Sequence, residues 1–275
     1  MTNAYKIAVV PGDGIGREVI PEALRVLDAV AHRFDIKFSY DEKNWSCERF
    51  HKKGAMMPKD GLEQITNHDA ILLGAVGFPG VPDHVSLWGL LIPIRRAFRQ
   101  YVNLRPVRLF EGMPCPLAGR MPGDIDFIIV RENNEGEYSE IGGRLYEGTE
   151  EELSVQQAIF TRKGVDRIMR YAFDLAGKRD RKHVTSATKS NGIIHSMPYW
   201  DKRVREMSIN YPDVKVDQYH IDIFTANSDK YCYVRTEDNL VKEIEEKQVI
   251  SPFATSGLYV FKNSKLFIDS YYQTL

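Results

Sequence analysis

Lys6-Ile7-Ala8-Val9-Val10-Pro11-Gly12-Asp13-Gly14-Ile15-Gly16 decides how the rest of the chain is read. Lys6–Val10 is an apolar run of strand length. Pro11 to Gly16 is a cluster of turn formers. From there to about Phe34 the apolar residues Val19, Ile20, Ala23, Leu24, Leu27, Val30, Ala31 and Phe34 recur at three- and four-residue steps. Together they read as a buried strand, a sharp turn and an amphipathic helix. Outward from this unit, Lys37–Tyr40 reads as a second strand, Gly61–Thr66 as a short helix and Ala70–Val76 as a third strand. That βαβ rhythm predicts an α/β fold, with a mostly parallel sheet under covering helices.

Further along, a helix is expected over Ser86–Tyr101 with Pro93 kinking it or ending its first half. Asn103–Val107 and Ile125–Arg131 read as strands, and the glycine-containing alternation of Gly142–Phe160 as a β arm. Arg162–Ala176 is amphipathic through Val165, Ile168, Met169, Ala172 and Leu175, with Gly177 as its stop. A strand over Val184–Ala187, a helix over Ser196–Met207 and a strand over Val214–Ile223 follow. Beyond them the character changes: Tyr231–Arg235 and Leu240–Glu245 alternate across Thr236-Glu237-Asp238-Asn239 as a hairpin, with Ser256–Phe261 as a third strand.

Composition narrows the class. The chain has 275 residues, 43% hydrophobic and 27% charged, with a formal net charge of −1, which fits one large globular domain or two smaller ones. Near-neutral charge gives no global pull toward nucleic acid or membranes, so any anion must be bound by a local cluster. The three cysteines, Cys47, Cys115 and Cys232, are odd in number and widely spaced. They argue against a disulfide framework or zinc site and for reduced thiols in a cytoplasmic protein. The apolar Ile7–Val10 is too short for a signal or a membrane span, and no low-complexity segment or internal repeat is apparent.

Five groups or single residues can carry chemistry. Gly12-x-Gly14-x-Gly16, between strand and helix, invites a dinucleotide reading. Its spacing is GxGxG rather than GxGxxG, and Asp13 puts a carboxylate where a pyrophosphate would lie. A phosphate cradle, a turn touching another part of a ligand and a purely structural turn all stay open. Among Arg95, Arg96, Arg99, Arg105, Arg108 and Arg131, Arg95 and Arg99 share a helical face while Arg105 and Arg131 sit on strands. Guanidinium groups converging from three elements can hold a small dicarboxylate bidentately; the alternative is surface arginines with acidic partners. Lys189, in Thr188-Lys189-Ser190-Asn191 just beyond a strand, is placed for a cleft and for general-base work, or is a solvated lysine. Tyr138 is a proton donor or an aromatic anchor. Asp222 can ligate a hard divalent cation, although one carboxylate does not make a site.

A resemblance sharpens this. Val10 through Gly16, Gly74-Ala75-Val76-Gly77, Val81-Pro82-Asp83-His84-Val85-Ser86-Leu87-Trp88-Gly89 and Tyr101-Val102-Asn103-Leu104-Arg105-Pro106-Val107-Arg108 come first. Val130-Arg131-Glu132-Asn133, Gly136-Glu137-Tyr138, Phe160-Thr161-Arg162, Thr185–Asn191 and His220-Ile221-Asp222 follow in order. The set covers about four-fifths of the chain. It resembles the β-decarboxylating dehydrogenases, the family of isocitrate and isopropylmalate dehydrogenases, in its tartrate and D-malate dehydrogenase branch. The resemblance implies oxidation by NAD of the C2 hydroxyl of a 2-hydroxy acid such as D-malate or tartrate, followed by loss of CO₂ assisted by Mg²⁺ or Mn²⁺. It implies that Arg95, Arg105 and Arg131 bind the substrate carboxylates, Lys189 assists removal of the hydroxyl proton, Tyr138 reprotonates the enol carbon and Asp222 is a metal ligand. It puts Gly12, Asp13 and Gly14 near the nicotinamide. In this family Lys189 and Asp222 serve the neighbouring subunit, which implies a homodimer.

After Asp222 the resemblance stops. The family's Asn-Leu-Phe-Gly-Asp-type and His-Gly-Ser-Ala-Pro-Asp-type segments, which supply further metal carboxylates and grip the adenosine, do not appear in this sequence. Residues 229–261 resemble, more weakly, the C-terminal region of a sugar nucleotidyltransferase, through Tyr231-Cys232-Tyr233-Val234-Arg235 and Ala254-Thr255-Ser256-Gly257-Leu258-Tyr259. The expected architecture is a truncated isopropylmalate dehydrogenase-like fold with a short antiparallel tail. Residues 1–100 are half of a large α/β domain, 101–222 a smaller substrate and dimerisation domain with a β arm, and 223–275 a foreign hairpin-rich tail. An inactive remnant of such an enzyme, or a nucleotidyltransferase-related fusion, are the competing readings.

Overall fold

The computed structural model describes residues 3–115, 117, 119–221, 232–237 and 240–246. The chain divides into two compact units, Met1–Tyr171 and Ala172–Leu275.

The first unit is built on β1 (Asn3–Gly12), flanked by β2 (Ile36–Glu42) and β3 (Ala70–Ala75) in a parallel sheet of order β2-β1-β3. Four consecutive residues of β1 are buried, Ile7, Ala8, Val9 and Val10. Such a run marks a central strand covered on both faces. The period of two divides them. Ile7 and Val9 pack with Ile20, Leu24, Leu27, Phe38, Tyr40 and Leu72, whereas Ala8 and Val10 join Trp45, Cys47, Met56, Ile65, Val81, Leu90 and Ile94. Each large side chain so buried contributes about 1.5–3 kcal/mol.

Helix α1 (Gly16–Phe34) covers the first face. Its apolar stripe is wider than the surface it covers: Ile20 is 4% exposed, but Val19 is 46% and Phe34 63% exposed. Helix α2 (Cys47–Lys53) was not expected. Ser46 caps it by accepting from Arg49 N at 3.1 Å, and Gly54 ends it in the left-handed region. Helix α3 is Gly61–Ile65.

The helix expected over Ser86–Tyr101 is replaced by three pieces, α4 (Asp83–Ser86), a π turn (Leu87–Leu91) and α5 (Ile92–Ala97). Pro93 has no N–H to continue an α ladder. The chain widens just ahead of it, with Ile92 N donating to Leu87 O. At the other end Arg99 takes a φ of 51° and Gln100 N closes on Arg95 O, so the helix stops before Tyr101. Arg99 therefore lies outside α5 and does not share a helical face with Arg95.

Strands β4 (Val102–Arg108) and β5 (Asp126–Glu132) pair antiparallel, as do β6 (Gly136–Leu145) and β7 (Leu153–Ile159). The arm starts earlier than its alternation indicates. Helix α6 (Arg162–Gly177) buries Val165, Ile168, Met169 and Phe173 on one face. In the second unit β8 (His183–Thr188), α7 (Ser196–Ser208) and β9 (Lys215–His220) form a parallel βαβ unit. Strand β9 ends before the expected Ile223, and Asp222 lies outside the described residues. Strands β10 (Cys232–Glu237) and β11 (Leu240–Glu246) form the expected hairpin; the strand expected over Ser256–Phe261 lies outside the described residues. Among the described residues no helix is long and apolar enough to cross a membrane.

Gly12 joins β1 to the turn at a φ of +76°, and a Cβ there would sit 2.0 Å from Ala75 O. Both the backbone conformation and the β1–β3 approach exclude a side chain. Gly12→Ala is expected to lower stability by about 3 kcal/mol, read as a fall in the urea midpoint.

Candidate active site

The β4–β5 register builds the centre of the site. Arg131 lies opposite Asn103, and Arg105 is two residues beyond Asn103 on the same strand. Residues at i and i+2 share a face, so Arg105 and Arg131 are diagonal neighbours on one side of the ribbon. Tyr138, on β6, closes against Arg131: the guanidinium donates to the phenol oxygen at 3.1 Å and lies 5.3 Å from the ring centre. Arg95, on α5, completes the group. Burial lowers its pKa from the ordinary arginine value; Tyr138 opposes that shift, and the charges of Arg131 and Arg105 add to it. Ile71, Leu73, Leu91, Ile94 and Gln100 line a cleft together with Arg95.

Two neighbouring arginines are paired instead with acids. Arg96 pairs with Glu140. Arg167 pairs with Glu132 at 2.9 Å and stacks on Tyr101 at 4.7 Å. Among the described residues no carboxylate lies within ion-pair distance of Arg95, Arg105 or Arg131. Three mutually repelling cations with no internal anion form a site that gains by taking one from solution.

A polar layer orients them. Arg105 Nε donates to Asn103 Oδ1 at 3.2 Å, Asn103 Nδ2 to Asn133 Oδ1 at 3.5 Å, and Asn133 Nδ2 to Gln100 O at 3.1 Å. Asn133 is buried. Glu132, next to Arg131 but on the opposite face of β5, is tied to Arg167 and to Asn134 N. Asn103, Asn133, Glu132, Arg167 and Glu140 were not singled out from sequence as site residues, whereas Arg96 was named with the candidate arginines but given no role of its own.

The glycine turn is largely consumed by the fold. Asp13 is 3% exposed, and its carboxylate accepts from Cys47 N at 2.9 Å, Glu48 N at 3.3 Å and Gly77 N at 3.3 Å. Gly12 is pressed against Ala75, while Gly14, exposed with open space beside it, is the member of the Gly12, Asp13 and Gly14 set that faces solvent. Burial first, then Asp13, pushes the Cys47 thiol up to about 11.

Lys189, half-buried, follows β8; its carbonyl accepts from Gly192 N and Ile193 N, which shapes a turn at the strand end. Thr188 Oγ1 donates to Asp201 at 3.0 Å and Trp200 Nε1 to Ser186 at 3.3 Å, tying that end to α7. Among the described residues no group of three or more His, Cys, Asp or Glu side chains could hold a metal ion. Those residues alone do not form a cation centre, and Asp222 lies outside them.

The mixed α/β fold with a parallel sheet is of the isocitrate/isopropylmalate dehydrogenase type. Residues 6–230 match the isocitrate/isopropylmalate dehydrogenase family model, and the chain belongs to that family. It is 60% identical over 228 residues to the D-malate dehydrogenase (decarboxylating) of Escherichia coli K12, covering 82% of this chain and 63% of that protein. It is 54% identical over 248 residues to the tartrate dehydrogenase/decarboxylase of Pseudomonas putida, covering 88% and 68%. The crystal structure of isocitrate dehydrogenase from Methylococcus capsulatus superposes with a TM-score of 0.68 at 30% identity, covering 79% of this chain and 61% of that one. The chain thus spans about three-fifths of the D-malate relative's length.

Two outcomes test the turn. Asp13→Ala leaves three amides without their acceptor and is expected to cost about 3 kcal/mol or more in urea unfolding, with Asp13→Asn milder. At pH 8 the Cys47 thiol stays protonated and buried, so iodoacetamide should label Cys115 and spare Cys47 in the folded protein.

Proposed function

We propose that the chain carries the diacid-binding machinery of an NAD-dependent decarboxylating dehydrogenase, acting on a small 2-hydroxy dicarboxylate, D-malate or a tartrate, as a homodimer. The observation that carries this reading is the group of three guanidiniums beside Tyr138, without a carboxylate partner among the described residues. The names of the two curated relatives point the same way.

In this reading Arg95, Arg105 and Arg131 take the substrate carboxylates through paired N–H donors, which fixes the C2–C3 bond and offsets two negative charges. Tyr138 accepts from Arg131 through its oxygen, so the phenol proton is directed elsewhere and can be given to the enol carbon left by the departing carboxylate. Lys189 assists removal of the hydroxyl proton, and Asp222 contributes to the metal, each in the neighbouring subunit's site. Bound NAD would accept the hydride from C2, and bound Mg²⁺ or Mn²⁺ would stabilise the enolate.

The test uses the full chain with D-malate, NAD and Mn²⁺. NADH formation is expected, together with a rise in melting temperature on adding D-malate. Arg95→Gln should lower kcat/KM by about 100-fold and remove the thermal shift. A wild-type protein that neither binds D-malate nor forms NADH would overturn the reading, and so would Arg95→Gln with wild-type affinity.

A further inference from the structure

Tyr138 sits in a break in its own sheet. The β6–β7 ladder runs from Leu145↔Leu153 to Ile141↔Gln157 and resumes only at Gly136↔Ile159, with a register shift between Gly136 and Ile141. The residues in the gap include Tyr138 and Glu140, and Glu140 holds a φ of +58°, a conformation non-glycine residues rarely keep without support. A bulge of this kind re-aims a side chain by giving up ladder hydrogen bonds, whose polar groups then need other partners.

Side chains provide them. Ser139 Oγ donates to Gly136 O at 2.6 Å and accepts from Ile159 N at 3.1 Å, and Gln156 Nε2 donates to Glu137 O at 3.3 Å. The contact from another element comes from α5: Arg96 Nη2 donates to Tyr138 O at 2.8 Å, its Nη1 pairs with the Glu140 carboxylate, and its guanidinium lies 5.1 Å from the centre of the Trp88 ring. Tyr138 is thereby held at both ends, its carbonyl by Arg96 and its phenol by Arg131. Consecutive residues on a helix point about 100° apart. Arg95 joins the acid-free cluster, while Arg96 turns to the strand that carries Tyr138.

We propose that Arg96, braced by Glu140 and Trp88, is a positioning residue that fixes the bulge and so sets where Tyr138 delivers its proton. The proposal deepens the functional reading above and rests on it for the role of Tyr138. Arg96 does not touch substrate; its effect passes through Tyr138 O and the 137–140 backbone.

The test compares the wild-type chain with Arg96→Met, Arg96→Lys and Glu140→Gln. Met keeps an apolar body over Trp88 but has no donor; Lys keeps a charge and one donor geometry. Hydrogen exchange read by mass spectrometry needs no turnover. Arg96→Met should raise exchange in peptides covering residues 137–141 and Ile159, with peptides of β1 and the melting temperature little changed. In steady state with D-malate, NAD and Mn²⁺, Arg96→Met should lower kcat about tenfold with KM within about twofold, because proton delivery is misplaced while the acid-binding cluster is intact. Arg96→Lys should recover part of that loss. Glu140→Gln should cause a smaller fall, and the Arg96→Met/Glu140→Gln double variant should be no worse than Arg96→Met alone. Unchanged exchange at 137–141 in Arg96→Met, or a KM that rises in step with the fall in kcat, would overturn the proposal. A wild-type chain without turnover or D-malate binding would sink the functional reading instead, and the exchange data would still decide whether Arg96 holds the bulge.

Discussion

One buried carboxylate ties the first unit together. Asp13 leaves β1 and accepts hydrogen bonds from the start of α2 and from Gly77, past the end of β3. The crevice at the carboxyl ends of neighbouring parallel strands is where open α/β sheets usually take a ligand. Here that position holds the protein's own acid, and the acid selects where α2 begins. Three amide donors satisfy the buried carboxylate oxygens, so their burial leaves no hydrogen bond unmade. The same arrangement withdraws the turn from phosphate chemistry, because a phosphate would meet a fixed negative charge there.

Charge is distributed with the opposite logic around β4, β5 and β6. Arg96 and Arg167 are paired with Glu140 and Glu132, and both serve the scaffold. Arg95, Arg105 and Arg131 have no acid partner among the described residues, and Arg95 is partly desolvated. Arginine tolerates this because its charge persists where a lysine would shed a proton. The fold thus contains two populations of the same residue type. Which population an arginine belongs to depends on the identity of its neighbour on another element.

That dependence explains what could be read in advance. The strand–turn–helix opening was legible because β1 is buried on both faces, which leaves an uninterrupted apolar run in the sequence. The ribbon carrying Arg105 and Arg131, the helix α6 and the terminal hairpin were legible for the same kind of reason, periodicity over many residues. Helix α2 was not, since its stabilising acid lies 34 residues earlier. The end of α5 was missed because a left-handed Arg99 carries none of the signals of a glycine. The division of arginines into paired and unpaired was equally hidden: Arg96 and Glu140 are 44 residues apart, and Arg167 and Glu132 are 35 apart. Arg95, Arg105, Arg131 and Tyr138 were picked out mainly through their family motifs; spacing alone left them ambiguous.

The π turn at Leu87–Leu91 bears on how this surface can change over time. Such a turn is equivalent to an ordinary helix carrying one inserted residue. Removing one residue there would let the wide turn close to an ordinary α turn, and the helix beyond it would keep its angular phase, because the bulge already absorbs the extra residue. Arg95 and Arg96 are consecutive on α5, so a deletion between Ile92 and Arg95, where no wide turn takes up the change, would turn both by roughly 100° at once. A change of length is thus absorbed in the π turn and disruptive one turn later.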